Sequence, residues 1–142
     1  MPTPDWCSWF SGLVDGEGCF ALRHNRKQWV AAELRINMRA DDRPMLAAIK
    51  ATLGFGRLTF HMKRSGGSKP TVEFCVGHRR DLLTLVRLFD QYPLRSRKRK
   101  DYEVWRTFVL LHQDRKHAND PRVEELLHEI KSVRVFSEGH DA

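Results

Sequence analysis

The most constraining feature of this sequence is the stretch from Phe10 to Gly18, which reads F-S-G-L-V-D-G-E-G. The residues before it are typical of a helix start, because Thr3 can cap a helix and Pro4 suits the first helical position. Glycine predicts a helix end at Gly16 or Gly18, since it readily adopts the left-handed conformation that ends many helices. The stretch therefore indicates a short helix with a defined stop.

Two faces of this helix differ in the size of their side chains. Apolar residues recur at helical spacing and predict a buried face: Trp6, Trp9 or Phe10, Leu13 and Val14. Small or short polar residues lie on another side, where a second helix could approach closely: Ser8, Ser11, Gly12 and Asp15.

Two carboxylates, Asp15 and Glu17, stand at the predicted carboxyl end of the helix. That position is unfavourable because the carboxyl end of a helix already carries partial negative charge. A divalent cation would offset the repulsion, and departures from local preference are expected at functional sites. The alternative is an ordinary buried helix that ends in an acidic, glycine-rich turn.

The stretch resembles the LAGLIDADG motif of homing endonucleases through its residues G-L-V-D-G-E-G. The resemblance implies an α+β fold with the order α-β-β-α-β-β-α, in which two motif helices pack at a two-fold axis and the strands form a saddle on DNA. Because the sequence carries one motif and no internal repeat, it implies a homodimer through the motif helices, with Ser8, Ser11 and Gly12 as contacts. The two-fold axis in turn implies a near-palindromic double-stranded DNA target.

Length and charge agree with one nucleic-acid-binding domain. The chain has 142 residues, and Lys and Arg number 25 against 18 Asp and Glu, which gives a net charge of +7. Such an excess suits a polyanionic partner. We expect one domain over residues 1–136, with a core at about 4–116 and a helix at about 120–135, and a flexible tail over 137–142.

The cysteines and the hydropathy pattern exclude several classes of protein. Three cysteines, Cys7, Cys19 and Cys75, are an odd number without paired spacing, which predicts neither a disulfide framework nor a zinc site. No apolar run approaches transmembrane length, and no signal peptide precedes the motif. We expect an intracellular protein without a membrane partner, in a bacterial or archaeal cytoplasm or encoded within an organelle.

Alternating patterns predict four strands in two pairs, separated by a helix that Gly54 ends. In the first pair the apolar positions are Phe20, Leu22, Val30, Ala32, Leu34, Ile36 and Met38. In the second pair they are Leu58, Phe60, Met62, Val72, Phe74 and Val76. A further helix over about 79–92 ends at Pro93. One antiparallel sheet would bury the apolar positions under helices and leave the other face in solvent.

The polar positions of these strands predict a DNA-binding face, since Arg pairs with guanine, Asn with adenine, and Glu accepts from cytosine in the major groove. An ordinary solvated face is the alternative, but here cations outnumber carboxylates. The candidate DNA-binding residues are Arg23, Asn25, Lys27, Glu33, Arg35, Asn37, Arg39, Arg57, Thr59, His61 and Lys63.

A basic segment, Arg95 to Lys100, holds five cations in six residues at the start of another predicted helix. Cations there oppose the helix dipole, which indicates that phosphate lies nearby. We include Arg95, Arg99 and Lys100 among the DNA-binding candidates. The segment also resembles the part of the family that supplies a basic residue to the active site, a role that falls to Arg97 or Lys98.

The resemblance further implies hydrolysis of DNA phosphodiesters with Mg²⁺ as the cofactor. It assigns Glu17 as the acidic metal ligand, and the neighbouring Gly16 carbonyl is a further candidate ligand. Asp15 is expected to hold the helix end and the adjacent turn. Met38 falls where the family commonly places a polar residue near the active-site waters, and Arg39 is a candidate to replace it.

Three functions are compatible with these residues. The first is a homodimeric, Mg²⁺-dependent endonuclease, intron-encoded and mobile, that makes a double-strand break. The second is a maturase that binds its host intron RNA. The third is a catalytically inactive DNA-binding regulator, which Glu17 and the basic segment disfavour.

Overall fold

The computed structural model describes residues 2–24, 30–62, 67, 69–111 and 120–138. The described elements are α1 (Pro4–Glu17), β1 (Gly18–His24), β2 (Val30–Arg39), a 3-10 turn (Ala40–Asp42), α2 (Arg43–Leu53), β3 (Arg57–His61), β4 (Thr71–Val76), α3 (Arg79–Gln91), α4 (Lys98–Leu111) and α5 (Pro121–Glu138). The predicted α-β-β-α-β-β-α order is confirmed, and two helices follow it. Helix α5 continues to Glu138, beyond its predicted end, and residues 139–142 of the predicted tail lie outside the described residues.

Helix α1 begins as predicted but ends for a different reason. The Thr3 hydroxyl accepts a hydrogen bond from the Trp6 N–H at 3.2 Å. At the other end Gly18 is extended, with φ −79° and ψ 159°, so the predicted left-handed conformation is wrong. A Cβ at Gly18 would lie 2.6 Å from Cγ1 of Val14 and 2.9 Å from its carbonyl oxygen. Close packing of the chain on the preceding turn therefore explains the glycine at this position. By contrast, Gly54 ends α2 in the left-handed conformation, with φ 81°.

The four strands form one antiparallel sheet in the order β1-β2-β4-β3. Its apolar face is buried under the helices, and Phe20 of β1 lies at the centre of an aromatic cluster. The Phe20 ring centroid lies 5.7 Å from that of Phe89, 5.3 Å from that of Tyr102 and 5.1 Å from that of Trp105. Because these rings belong to β1, α3 and α4, their packing fixes both helices against the strand that follows the motif.

Two of the predicted core positions are exposed. The side chains of Phe60 and Met62 are 48% and 72% exposed, although their spacing predicted the buried face. They lie on or just beyond β3, which is an edge strand and pairs only with β4 among the described strands. The alternation fixed which face these side chains share, but the helices do not cover that margin of the sheet.

Polar contacts join α3 to α4. The Tyr102 hydroxyl donates to the Val86 carbonyl and to the Asp90 carboxylate, at 3.1 and 2.8 Å. Arg106 donates to both oxygens of the same carboxylate. These bonds orient α4 and so help to set the position of its first turn, which carries the basic segment. Cys7, Cys19 and Cys75 all lie among the described residues and form no disulfide bond. None of the described helices is both long and apolar enough to span a membrane.

Candidate functional site

The carboxyl end of α1 lies against the basic segment, and Asp15 forms the junction. One Asp15 carboxylate oxygen accepts the backbone N–H groups of Arg95 and Ser96, at 3.0 and 2.9 Å, and the other oxygen also accepts from Arg95 at 3.0 Å. The Ser96 hydroxyl donates to the Asp15 carbonyl at 3.2 Å and accepts the N–H of Lys98. Asp15 therefore holds the loop that leads directly into α4.

The hydrogen bonds to Asp15 stabilise its charged form. Burial acts to raise the pKa of Asp15, but the bonds from Ser96 and Arg95 outweigh burial and hold the pKa below its ordinary value. The side chain is thus a carboxylate at neutral pH, and its negative charge lies close to Lys98.

Lys98, the first residue of α4, reaches the end of α1. Its ammonium nitrogen donates to the Gly16 carbonyl oxygen at 2.9 Å. Burial lowers the pKa of Lys98, and the neighbouring Glu17 carboxylate acts in the opposite direction. The sequence left Arg97 and Lys98 as alternative active-site cations. Lys98 is half-buried at the helix end, whereas the Arg97 side chain is exposed.

The donor atoms at this helix end suit a hard divalent cation. Glu17 is the exposed last residue of α1, and the Gly16 carbonyl lies beside it. Over the described residues, no group of three or more His, Cys, Asp or Glu side chains lies close enough together to hold a metal ion. A divalent cation that keeps several waters and accepts phosphate oxygens as ligands would fit such a sparse oxygen site.

The polar face of the sheet begins two residues after Glu17, and cross-strand pairing arranges it in rows. Cys19, Arg35, Cys75 and Arg57 lie opposite one another across all four strands. The next rows, across β2, β4 and β3, are Asn37, Glu73 and Thr59, and then Arg39, Thr71 and His61. Six of the candidate DNA-binding residues therefore share these rows, while Asn25, Lys27 and Lys63 lie outside the described residues.

Glu33 lies on the same face but points its carboxylate at two neighbours. One oxygen, Oε2, accepts from Arg23 at 2.9 Å and from Arg35 at 2.7 Å. The sequence predicted these three residues among the DNA-binding candidates, and the structure brings them together as one cluster.

Cys75 is a feature of this face that the sequence analysis missed. It is buried although it alternates with the core residues of β4. Burial, followed by the nearby Glu33 carboxylate, raises the pKa of Cys75 to about 11. In its cross-strand row Cys75 lies between Arg35 and Arg57, whose side chains are longer.

The other predicted site residues differ in their described surroundings. Arg39 forms an exposed ion pair with Asp41 at 2.8 Å. Met38 packs against the hydrophobic core, whereas Arg39 lies on the opposite face of the strand. The Arg39 side chain therefore does not occupy the place of the Met38 side chain. The basic segment is also divided, since Arg95 and Arg99 line a groove beside α1, and Lys100 lines another between α4 and α5.

The helix stop, the acidic position and the position of Lys98 coincide in one part of the fold. Residues 10–109 match the family model of the LAGLIDADG endonucleases. The chain belongs to the LAGLIDADG endonuclease family. Endonucleases of this family depend on divalent metal ions, which agrees with the oxygen donors at the motif.

Relatives of this LAGLIDADG chain include a protein of similar length and longer proteins. It is 28% identical to the "Probable intron-encoded endonuclease Cox1-I1b" of Schizosaccharomyces pombe over 137 residues, 91% of this chain and 34% of that protein. The meganuclease I-AabMI, solved bound to uncleaved DNA, is 27% identical with a TM-score of 0.72, over 87% of this chain and 43% of that one. The homing endonuclease I-TnaI shares the fold, with 24% identity, a TM-score of 0.72, and coverage of 94% and 96%. The chain thus spans about a third of the curated relative.

The exposed face of the LAGLIDADG helix differs from the predicted one at Ser11. Ser11 is buried, and its hydroxyl donates to the Tyr92 carbonyl at 2.7 Å, so it packs within the chain. Ser8 and Gly12 are exposed, and no heavy atom lies within 4 Å of the position that a Gly12 Cβ would take. Trp9 is beside them and is 44% exposed, so the buried aromatic of this turn is Phe10.

Proposed function

We propose that this chain is a homing endonuclease unit that hydrolyses DNA phosphodiesters with Mg²⁺ and makes a double-strand break at a long, near-palindromic site as a homodimer. The observation that carries the proposal is the placement of Glu17, the Gly16 carbonyl and Lys98 at the end of the motif helix. This cluster adjoins the first row of the polar sheet face, so DNA lying on that face would present its backbone to the cluster.

Each of these groups has a distinct part in the proposed hydrolysis. Glu17 would hold Mg²⁺, and the Gly16 carbonyl, which also accepts from Lys98, would be a further ligand through its second lone pair. The ion would supply activation of water and neutralisation of the scissile phosphate. The Lys98 ammonium, held at the helix end, stabilises the additional negative charge on the phosphate oxygens in the transition state. Asp15 keeps Lys98 in reach by fixing the loop before α4, and it takes no part in the chemistry.

The polar sheet face supplies the DNA contacts. Its rows carry Arg, Asn and His side chains on strands that a major groove can accept, and the net charge of +7 favours a polyanion. The likeness to a DNA-bound meganuclease supports the same orientation, and the name of the yeast relative supports an origin within an intron of an organelle gene.

The exposed face of α1 supports the proposed homodimer. Ser8 and Gly12 recur at a four-residue interval that continues to Gly16, all three are exposed, and small residues at this spacing permit close helix packing. A two-fold axis along this face would bring two copies of Glu17 together and complete a metal site that one chain leaves sparse.

The experiment that tests the function is cleavage selection from a randomised duplex library in Mg²⁺, followed by sequencing of the cut ends. Wild type and Glu17→Gln are compared with Asp5→Asn, a matched control that removes a carboxylate from the opposite end of the same helix. We expect wild type and Asp5→Asn to cut a near-palindromic site, and Glu17→Gln to bind that site without cutting it.

Other outcomes assign other functions. If wild type enriches one DNA sequence but does not cut it, the chain is a DNA-binding regulator. If wild type neither cuts nor enriches any duplex and instead binds intron RNA regardless of Glu17→Gln, the chain is a maturase.

A further inference from the structure

We propose that Glu33 is a positioning residue that sets the guanidinium groups of Arg23 and Arg35 for base readout, and does not itself contact a base. The inference rests on the proposed DNA recognition by the polar sheet face. It deepens that function by assigning sequence discrimination to a cluster of three side chains on β1 and β2.

Both arginines bind the same atom. Oε2 of Glu33 accepts from the terminal NH2 group of Arg23 at 2.9 Å and from the Nε of Arg35 at 2.7 Å. Both distances are in the range of strong charge-assisted hydrogen bonds. The Arg35 contact uses Nε, so the two terminal nitrogens of its guanidinium fork are directed away from this bond. Those nitrogens are the donors from which the O6 and N7 atoms of guanine would accept hydrogen bonds.

Exposure increases outward through the cluster. The Glu33 side chain is 13% exposed, that of Arg35 is 25% exposed, and that of Arg23 is 51% exposed. A ligand on the sheet therefore meets the arginines before it meets the carboxylate. The carboxylate lies beneath them, beside the buried Cys75, whose pKa it helps to raise.

The backbone of Glu33 is anchored as well. Strand β4 ends at Val76, which pairs with Leu34, so Glu33 lies one residue beyond the last pair of that ladder. Its carbonyl instead accepts the indole N–H of Trp105 at 3.1 Å, and Trp105 is fully buried. The core thus fixes the main chain from which the carboxylate projects.

A second ion pair, between the last residue of β2 and the 3-10 turn that follows, provides a comparison. Arg39 and Asp41 meet at 2.8 Å, but their side chains are 59% and 77% exposed. Exposed pairs of this kind are weak because water and salt screen them. Glu33 differs because it is largely desolvated and binds two cations, so its loss would leave two arginines without their common orientation.

Such an arrangement raises discrimination in two ways. A pre-oriented arginine loses less conformational entropy on binding the correct base, which favours the correct site. The negative charge of Glu33 also offsets part of the positive charge of the face, which weakens sequence-independent attraction to phosphates. Removal of Glu33 should therefore move specific and non-specific affinity in opposite directions.

The test measures equilibrium binding of wild type, Glu33→Gln and Glu33→Asp to the selected site, to single-base variants of it and to an unrelated duplex, in Ca²⁺ to prevent cutting. For Glu33→Gln we expect the discrimination against base variants to fall roughly tenfold and binding to the unrelated duplex to increase. Glu33→Asp keeps the charge but shortens the side chain, so discrimination should fall without that increase. Asp41→Asn is the matched control and should leave discrimination unchanged.

A double-mutant cycle separates positioning from direct contact. In a chain that already carries Arg23→Gln and Arg35→Gln, adding Glu33→Gln should change discrimination little. The inference is overturned if Glu33→Gln alone leaves discrimination intact, or if its effect persists at one base pair without the two arginines. A wild-type protein that selects no duplex overturns the proposed function itself, and the unchanged melting temperature of Glu33→Asp would show that folding is not the cause.

Discussion

At the residue scale, the proposed chemistry depends on three groups that meet at the end of one helix. The Gly16 carbonyl is one of the last acceptors of α1, and Lys98 satisfies it at 2.9 Å. A cation at this position is favourable because the carboxyl end of a helix carries partial negative charge. Lys98 therefore compensates the same repulsion that the Asp15 and Glu17 carboxylates create, and it leaves the exposed Glu17 available to a metal ion.

The position of Lys98 predicts that it is the active-site cation. Replacement of Lys98 by Met should lower the single-turnover cleavage rate on the order of 100-fold, because one charge-stabilising donor is lost. Arg97→Met, which removes the exposed neighbouring cation, should have a much smaller effect. Rates are measured at saturating protein in Mg²⁺. Equal losses in the two variants would contradict the assignment.

The contacts of Asp15 predict a pH-dependent contribution to stability. The pKa of Asp15 is lowered in the folded chain, so its contribution is fully present above the unfolded pKa of about 4 and is lost as the pH falls through the folded pKa. Asp15→Asn should lower the free energy of unfolding by roughly 1 to 3 kcal/mol at neutral pH.

The difference between wild type and Asp15→Asn should then shrink as the pH falls below about 4. Urea unfolding at several pH values measures it. A difference that stays constant down to pH 2 would show that the charge of Asp15 is not responsible.

At the element scale, α1 uses its faces for different purposes. Phe10 and Val14 pack into the core, while Ser11 and Asp15 bind the segment between α3 and α4. The remaining face, with Ser8 and Gly12, is exposed. One short helix thus joins the core, the basic segment and the proposed subunit interface.

Two glycines, Gly12 within α1 and Gly18 directly after it, should respond differently to substitution by alanine. Gly18→Ala places a Cβ 2.6 Å from a Val14 carbon, and should lower the free energy of unfolding by roughly 1 to 3 kcal/mol. A Cβ at Gly12 has no heavy atom within 4 Å in one chain. At concentrations where the chain is monomeric, Gly12→Ala should therefore keep or raise the free energy of unfolding, because alanine has the higher helix propensity.

Gly12→Ala should affect the association of two chains in the opposite direction to its effect on monomer stability. It should weaken the association, because the added methyl group separates the helices. Denaturant unfolding and sedimentation equilibrium measure the two effects. Loss of monomer stability in Gly12→Ala would mean that this face is already covered within the chain.

At the scale of the whole molecule, one chain provides one sheet face and a sparse acidic site. Trp9 is an exposed aromatic residue beside the small residues of α1, and aromatic side chains commonly anchor interfaces. Its exposure is explained if a second copy covers it in the homodimer.

Replacement of Trp9 by Lys should therefore yield a monomer. We expect the variant to keep its melting temperature in dilute solution, since the side chain is outside the core, and to lose double-strand cleavage. Sedimentation equilibrium and a plasmid-cleavage assay measure the two properties. A fully active monomeric variant would exclude the two-fold active site.

The sequence by itself determined the order of elements, which residues of a strand lie on the same face of the sheet, and the position of the motif. These properties follow from local spacing and from glycine and proline positions, which act over a few residues. The motif also located Glu17, since helix, glycine and carboxylate occur in one register. The sequence could not choose between Arg97 and Lys98, because adjacent residues in a basic run have the same composition around them.

Tertiary structure decided which candidate side chains meet. Lys98 reaches Gly16 across 82 positions of sequence, and Ser11 is buried where its hydroxyl donates a hydrogen bond to the distant Tyr92 carbonyl. Phe60 and Met62 are exposed because β3 lies at an edge, and Glu33 binds Arg23 because the pairing of β1 with β2 places them close together. Each result depends on packing between segments that are far apart in the chain, which local periodicity does not encode.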